Sequence, residues 1–440
     1  MNFLTLKKVF IHSLKAVKNV NTVRTLLSSA YSCEDAWRKR TESGLLSKVD
    51  TDKIFTEINM RYTRKLKVGA VDIDIYANTI ESIEQLEDCK HVLQKFRKTR
   101  HTKDALESTH HAVIRAFLKH NKLEEIVEIL ENRIDFGIFA DDVCYNLLFD
   151  RLIEQKDFRN ASRVAISRML QEDFENTISN IFSLYAIYSY LNDENRAPLY
   201  AHEVEKEEPE EDDDEPTYVR VPYLRNPFFD DHFDIKNGLH LCGKTLYLVG
   251  KRFDDIVGRS SQLLGLCLYN KWEKVENLLK QMDAKFASDM FSKSIVKYVS
   301  RITESLEEDE KQKCTKFLDT LKSFEQRASN EDIYTLVCNK LSEIERHEQK
   351  DIESIVKSFE EWEKRREDAL NTQMFELMRE EKLKEINAKI AEIKEKERRL
   401  FFFENIDKHE MEFAEAEKQL EAVKSTSTVD EDYVPPMLKR

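Results

Sequence analysis

The chain has no proline before Pro198, and neither glycine nor proline between Leu266 and Val434; its 440 residues hold 8 Gly and 7 Pro in all. Sheets need frequent turn residues, so this poverty excludes a sandwich or barrel and leaves a protein built of helices. No apolar run reaches the ~18 residues of a membrane-spanning helix, so membrane insertion is not expected. The seven cysteines (Cys33, Cys89, Cys144, Cys242, Cys267, Cys314 and Cys338) are far apart and never spaced Cys-x-x-Cys. A zinc site or disulfide frame is therefore not expected, and reduced thiols on apolar helix faces are. Ser28-Ser29 and the hydroxyls near Ser425 have no base at a defined spacing, which leaves nucleophilic catalysis without support. Clustered aspartates of a compact α/β nuclease are also missing.

Charge is abundant. Charged residues make up 35% of the chain and hydrophobic ones 41%, so a core is possible beneath a heavily charged surface. The net charge of −14 is unevenly placed. Residues 203–216 are almost all acidic, with Lys206 the sole base. An acidic chain does not hold RNA by bulk charge, so any such contact must be local. By contrast, Met1–Cys33 carries Lys7, Lys8, Lys15, Lys18 and Arg24 and no acid. With Phe3, Leu4, Val9, Phe10, Leu14 and Val17 interspersed, this is the composition of a mitochondrial transit peptide, expected over 1–33 with a cut near Arg24.

Two stretches superpose without a gap at an offset of 35 residues, Ser108–Leu130 and Val143–Ala165. Val113 falls on Leu148, Phe117 on Leu152, Leu118 on Ile153, Leu123 on Phe158 and Ile129 on Val164. A fixed period of this size predicts stacked helical hairpins whose work is done by a long surface. Glu34–Met60 reads as helical, Val71–Phe96 as a degenerate first hairpin, and Asn176–Leu191 as the first helix of another. The expected organisation is a repeat domain over 34–200, an acidic linker and Pro/aromatic loop over 201–240, further hairpins over 241–330, long charged helices over 331–424 and a tail over 425–440. In the hairpin region the expected helices are Ile256–Asn270, Trp272–Met282, Ala287–Ser305 and Asp309–Phe324.

The C-terminal region shows coiled-coil-like seams, one on Ile352, Ile355, Phe359 and Trp362 and one on Leu383, Ile386, Ile390, Ile393 and Leu400. Arg366 and Gln373 interrupt them, which leaves one rod, two helices or a hairpin open. Phe401, Phe402 and Phe403 follow Leu400 directly. Four consecutive apolar residues cannot all face one seam, so they suggest partner docking or a fold-back.

Gly238–Thr245 spells G-x-x-x-x-G-K-T, the phosphate-loop pattern. No buried strand precedes it, and Leu239, His240, Leu241 and Cys242 are bulky where such a loop needs small residues. No nucleotide is expected there; Gly243 reads as a break before a helix, with helices resuming near Lys244. Asp230, Asp231, His232 and Asp234 read as solvated charge rather than a metal site. No cofactor is expected.

The unit DDVCYNLLFDRLIEQKDFRNASRVAISRML resembles a pentatricopeptide repeat: Tyr145-Asn146 opens its first helix, Lys156-Asp157 makes the break, and Ala161 lets the second helix approach. LLSSAY at 26–31, KFR at 95–97, residues 136–161 and MLQEDFE at 169–175 are similar to pentatricopeptide-repeat proteins of the mitochondrial small ribosomal subunit. The likeness implies an all-α solenoid of pentatricopeptide-type hairpins followed by long charged helices. It also implies a non-catalytic subunit of the mitochondrial ribosome that touches small-subunit rRNA and neighbouring proteins, and it leaves a passing tRNA or mRNA open. Repeats that read bases do so through a few polar side chains per repeat. Here the first reading positions are Ala112 and Leu147, and their partners are Asp142 and Thr177. Ala112 and Leu147 cannot hydrogen-bond a base edge, so contact by charge and shape is expected, with Lys119 and Arg151 as candidates. The alternative reading is a free mitochondrial RNA-binding factor of the same repeat class. A coiled-coil adaptor carrying a repeat domain is a further one.

Overall fold

The structure, a computed structural model, describes residues 26–42, 44–193, 196–200, 235, 237–286, 288–304, 308–324 and 327–427. The transit-peptide candidates up to Arg24, the acidic run at 203–216 and the Asp230–Asp234 group lie outside them. Among the described residues the regular elements are helices and no strand is present. The chain divides into two compact units, Met1–Glu367 and Asp368–Arg440.

The first unit opens with α1 (Glu34–Thr41), α2 (Thr51–Thr63), α3 (Ala70–Asn78) and α4 (Glu84–Arg97). The 35-residue repeats follow as α5 (Glu107–Lys119) with α6 (Leu123–Glu131), and, after the short α7 (Arg133–Phe136), α8 (Asp142–Glu154) with α9 (Phe158–Leu170). Next come α10 (Thr177–Asn192), α11 (Gly238–Gly250), α12 (Ile256–Leu268), α13 (Trp272–Lys285), α14 (Ser294–Glu304), α15 (Glu308–Ser323) and α16 (Ile333–Leu341). Helix α17 (Glu345–Leu400) runs through Arg366 and Gln373 without a break, and α18 (Ile406–Ser427) ends the description. The helix expected from Ala287 starts only at Ser294. Residues ahead of it are held by a second segment instead, with Ser329 N–H donating to Phe291 O (2.8 Å) and Lys293 N–H to Ser329 O (3.0 Å).

Four tight turns between successive helices do without glycine at the turning residue. Two residues beyond α2, α5, α8 and α12 stand Lys65, Asn121, Lys156 and Asn270, all left-handed with φ of 53–59°. In each turn the next amide reaches back five residues: Leu66 to Arg61 O (2.8 Å), Lys122 to Phe117 O (3.0 Å), Asp157 to Leu152 O (2.9 Å), Lys271 to Leu266 O (3.1 Å). This closure satisfies the orphan carbonyls of a helix end. The starts of α8, α9, α10 and α11 are capped by side chains: Asp141 accepts from Cys144 N, Asp157 from Asn160 N, Asn176 from Ser179 N and Asn237 from Leu239 N. Each such cap contributes about 1 kcal/mol.

The first helices α3, α5, α8 and α10 stand side by side in one layer, and α6 and α9 lie side by side behind them. Val113, Phe117, Leu148 and Leu152 are fully buried between the layers, as are Tyr145, Asn146 and Ala161; Leu123 is buried and Phe158 half-buried against the same core. The segment ahead of α1 is part of this unit. Leu27 and Tyr31 are in the core, and Leu26 and Leu27 amides donate to Asp150 Oδ1. Both core residues lie inside the 1–33 stretch that the sequence reads as a transit peptide.

Gly238–Thr245 lies inside α11 and is not a loop. The helix begins at Gly238, capped by Asn237, rather than near Lys244. Gly243 does not break it, because that glycine packs against the backbone of α12 at Gly265. Lys244 is buried, its ammonium 5.5 Å from the Tyr269 ring centre.

In the second unit, Leu383, Ile386, Ile390 and Ile393 are exposed on α17. A five-residue turn joins α17 to α18, with Arg398 paired to Glu412 across it at 2.5 Å. Phe401, Phe402 and Phe403 form this turn. Phe402 stacks on His409 with ring centres 5.7 Å apart, and Phe403 is 86% exposed.

Candidate functional surface

The first helices make the face on which the reading positions expected from the resemblance would lie. Here the chain covers it itself. The part of α17 before Asp368 lies along α3, α5, α8 and α10 and is fixed by polar contacts at both ends. Asp74, in mid α3, is fully buried; Arg366 Nε donates to its Oδ2 at 2.5 Å, and Thr109 Oγ1 (2.8 Å) and Ser108 Oγ donate to its Oδ1. Further along, Asp351 Oδ2 accepts from Tyr31 OH (2.9 Å) and Asn176 Nδ2 (2.8 Å). Asn146 Nδ2 donates to the same Tyr31 oxygen (2.7 Å), and its Oδ1 accepts from Ser179 Oγ (2.6 Å). The Asn of the Tyr-Asn pair is thus part of an internal network. Between the two ends Trp37, His111, Phe359 and Trp362 meet with ring centres 5.0–5.5 Å apart. Such aromatic pairs contribute about 0.5–1.5 kcal/mol beyond their area. Arg40 lies over Trp37, 3.9 Å from the ring centre, and burial, with the like charge of Arg366, pulls it down to about 9.

One cluster at this face resembles a reactive centre. The donor atoms of His111, Asp141 and Cys144 lie within 4.8 Å of one another. Their hydrogen bonds decide what they can do. Arg115 Nε donates to His111 Nε2 at 2.8 Å, so the ring carries its proton on Nδ1 and donates to Asp141 Oδ2 at 2.6 Å. Neither ring nitrogen has a lone pair for a metal, and the adjacent guanidinium opposes a second cation. Burial pulls His111 below its ordinary value and, with Asp141, pushes the Cys144 thiol well above its own. A protonated, buried thiol is neither ligand nor nucleophile. Burial alone would raise Asp141, but the His111 ring and the Cys144 amide outweigh it and hold the carboxyl at about 2. The cluster fastens the start of α8.

Beside it opens a cleft of about 510 Å³, whose polar lining includes Glu107, His110, Asp141, Asp142, Asn176 and Asp351. Its acidic wall disfavours phosphate. Asp142, at one of the expected reading-partner positions, is 3.6 Å from the buried Arg168. Burial, then the charge of Asp173, raises Asp142 from 3.8 to about 6. Its proton is therefore held more tightly in the folded state than in the unfolded one, and between about pH 4 and pH 6 stability falls as pH rises. At pH 7 the charged group is a net cost. Its side chain is 34% exposed, so solvent screens much of that cost, which leaves ~1 kcal/mol. Asp142→Asn is expected to raise the melting temperature by roughly 2 °C at pH 7. In a melting series down to pH 4 that advantage disappears; an unchanged gap at pH 4 would refute the titration.

Ala112 is buried and Leu147 half-buried, so neither is offered to a base. Lys119 and Arg151 are exposed at the ends of α5 and α8, Arg151 paired to Glu154 at 3.2 Å. The structure does not bring these two together with the acidic cleft. Sequence reasoning passed over Asp74 and Asp351 and read Arg366 only as an interruption of a seam. A lone Asp in an apolar helix and a lone Arg in an apolar seam are the signals that could have found two of them.

A stack of helical hairpins whose ligand-facing layer is closed by a helix of its own chain belongs to the class of helical-repeat scaffold proteins. Over residues 2–392 the chain matches the family model described as mitochondrial 28S ribosomal protein S27, and it belongs to that family. It is a structural component of the mitochondrial small ribosomal subunit and resides with the ribosome in the mitochondrial matrix.

Proposed function

We propose that the protein is a non-catalytic platform in the small subunit that touches rRNA by charge and shape, without reading bases. Its two aligned hairpins are taken as pentatricopeptide-type units whose ligand face has become a seat for α17. The observation that carries this is the buried Arg366–Asp74 pair, which ties α17 over the layer where a base would have to enter. The acidic cleft argues against anionic ligands at the same face, a passing tRNA or mRNA included. Lys119 and Arg151 are proposed phosphate contacts on the outer edge. Phe401, Phe402 and Phe403, exposed at the α17–α18 turn, are proposed to dock on a neighbouring protein, because large apolar groups gathered at an exposed corner mark such sites.

Selection of a random RNA pool with the full-length protein at physiological salt tests the central point. No short motif should be enriched. Enrichment of one motif, weakened by Asp142→Ala or Thr177→Ala, would show base reading and overturn the proposal.

A further inference from the structure

We infer that an exposed basic edge, made by residues 64–67 and 97–103, is where the protein grips the phosphate backbone of folded rRNA. The inference rests on the ribosomal reading and names the surface that reading requires.

The hairpin stack has two edges, and hydrogen bonds identify both. On one edge are the tight turns inside hairpins: His120 Nε2 meets Glu81 O (3.0 Å), and Gln155 Nε2 donates to Asn121 Oδ1 (2.7 Å). Lys119 and Arg151 belong to this edge. It is mixed in charge, with Arg151 held by Glu154 and Lys122 by Glu125. On the other edge are the connections between hairpins. Lys95 Nζ donates to Asn59 Oδ1 (3.2 Å), which sets the end of α2 beside the end of α4, and Arg97 Nε donates to Ile134 O (3.1 Å) in the next connection. The 3-10 turn Arg100–Asp104 packs on α3 and α4.

This second edge is polarised. Its first two connections place Arg64, Lys65, Lys98, Arg100 and Lys103 in solvent. None of these five makes an ion pair among the described residues. No acid occurs from Arg64 to Val71 or from Lys90 to Lys103. Further on, the same edge turns acidic, with Glu172, Asp173 and Glu175 following α9. In a chain of net charge −14, a segregated basic strip with these five cations in solvent is the local charge a polyanion requires. Protein interfaces concentrate aromatics and are depleted of lysine. The strip has the reverse composition, with Leu66 its exposed large apolar side chain. This favours RNA over an acidic protein segment.

The test keeps the cations intact. A photo-crosslinking residue replaces Leu66 in the full-length chain, which is expressed in mitochondria in place of the wild type, and small subunits are isolated on gradients before irradiation. Crosslinks to rRNA are expected. In the same protein Lys98→Glu/Arg100→Glu/Lys103→Glu should lower them at least tenfold, and the milder Lys98→Gln/Arg100→Gln/Lys103→Gln several-fold. Lys274→Glu/Lys280→Glu, exposed on α13 away from both edges, should change them less than twofold. Crosslinks to protein alone, or rRNA crosslinks indifferent to the triple variants, would overturn the inference and leave the ribosomal reading standing. A chain that fails to travel with the small subunit at all would sink both.

Discussion

Replacing Arg366 by alanine should cost the first unit about 3–5 kcal/mol and free α17 from the hairpins. The figure is that of removing one partner from a buried ion pair, which strands a charge in a low dielectric. Asp74 is wholly buried, and Ser108 and Thr109 can hydrogen-bond its carboxylate but cannot neutralise it. The loss need not appear as global unfolding. It can be limited by local detachment of α17, whose remaining anchors are Ile355, Phe359, Trp362 and the Asp351 network. Limited trypsinolysis separates the two, since Lys357 and Lys364 on that helix become early cleavage points if it lifts. Arg365→Ala is the control. That neighbour reaches the exposed Glu107 at 3.1 Å while itself 55% exposed, and a pair of that kind contributes less than about 1 kcal/mol. Equal effects from the two variants would show that the Asp74 contact does not hold the helix.

The same pair explains what the sequence could and could not convey. The 35-residue offset was legible because apolar spacing is a local property, and Val113, Phe117, Leu148 and Leu152 are in the core as that spacing requires. The hairpin turns were legible only as breaks. Asn121 and Lys156 adopt the left-handed conformation that a glycine would have advertised. The course of α17 was not legible. Arg366 interrupts an apolar seam when read alone and completes it when read with Asp74, 292 residues away. Likewise Asn146 reads as a repeat signature, yet its partners Tyr31 and Ser179 come from either side of the repeat. Long-range polar complementarity has no period, so no window along the chain reports it.

The glycines of α11 and α12 give the other large effect. Gly243 faces Gly265, and Gly250 faces Gly258 about two turns away; these are half of the chain's 8 glycines. A Cβ on Gly265 would stand 2.5 Å from Gly243 O and 2.6 Å from Tyr247 N, and one on Gly243 2.6 Å from Gly265 O. All three obstacles are backbone, so none rotates away. The helices must separate, and Leu246, Leu263 and Leu264, buried around this hairpin, lose contacts with them. Overpacking a well-filled core costs about 1–3 kcal/mol, and a shift of two backbones belongs at or above the top of that range. Gly265→Val should therefore lower the denaturation midpoint by more than any single surface change, and Gly243→Val similarly. Lys244→Met keeps the aliphatic stem and should cost under about 1 kcal/mol. A phosphate loop would behave otherwise: the lysine change would abolish nucleotide binding and the glycine changes would weaken it. Denaturant melts of the three variants, with and without ATP, decide between the two. A Gly265→Val protein as stable as the wild type would mean that the two helices do not touch at their backbones.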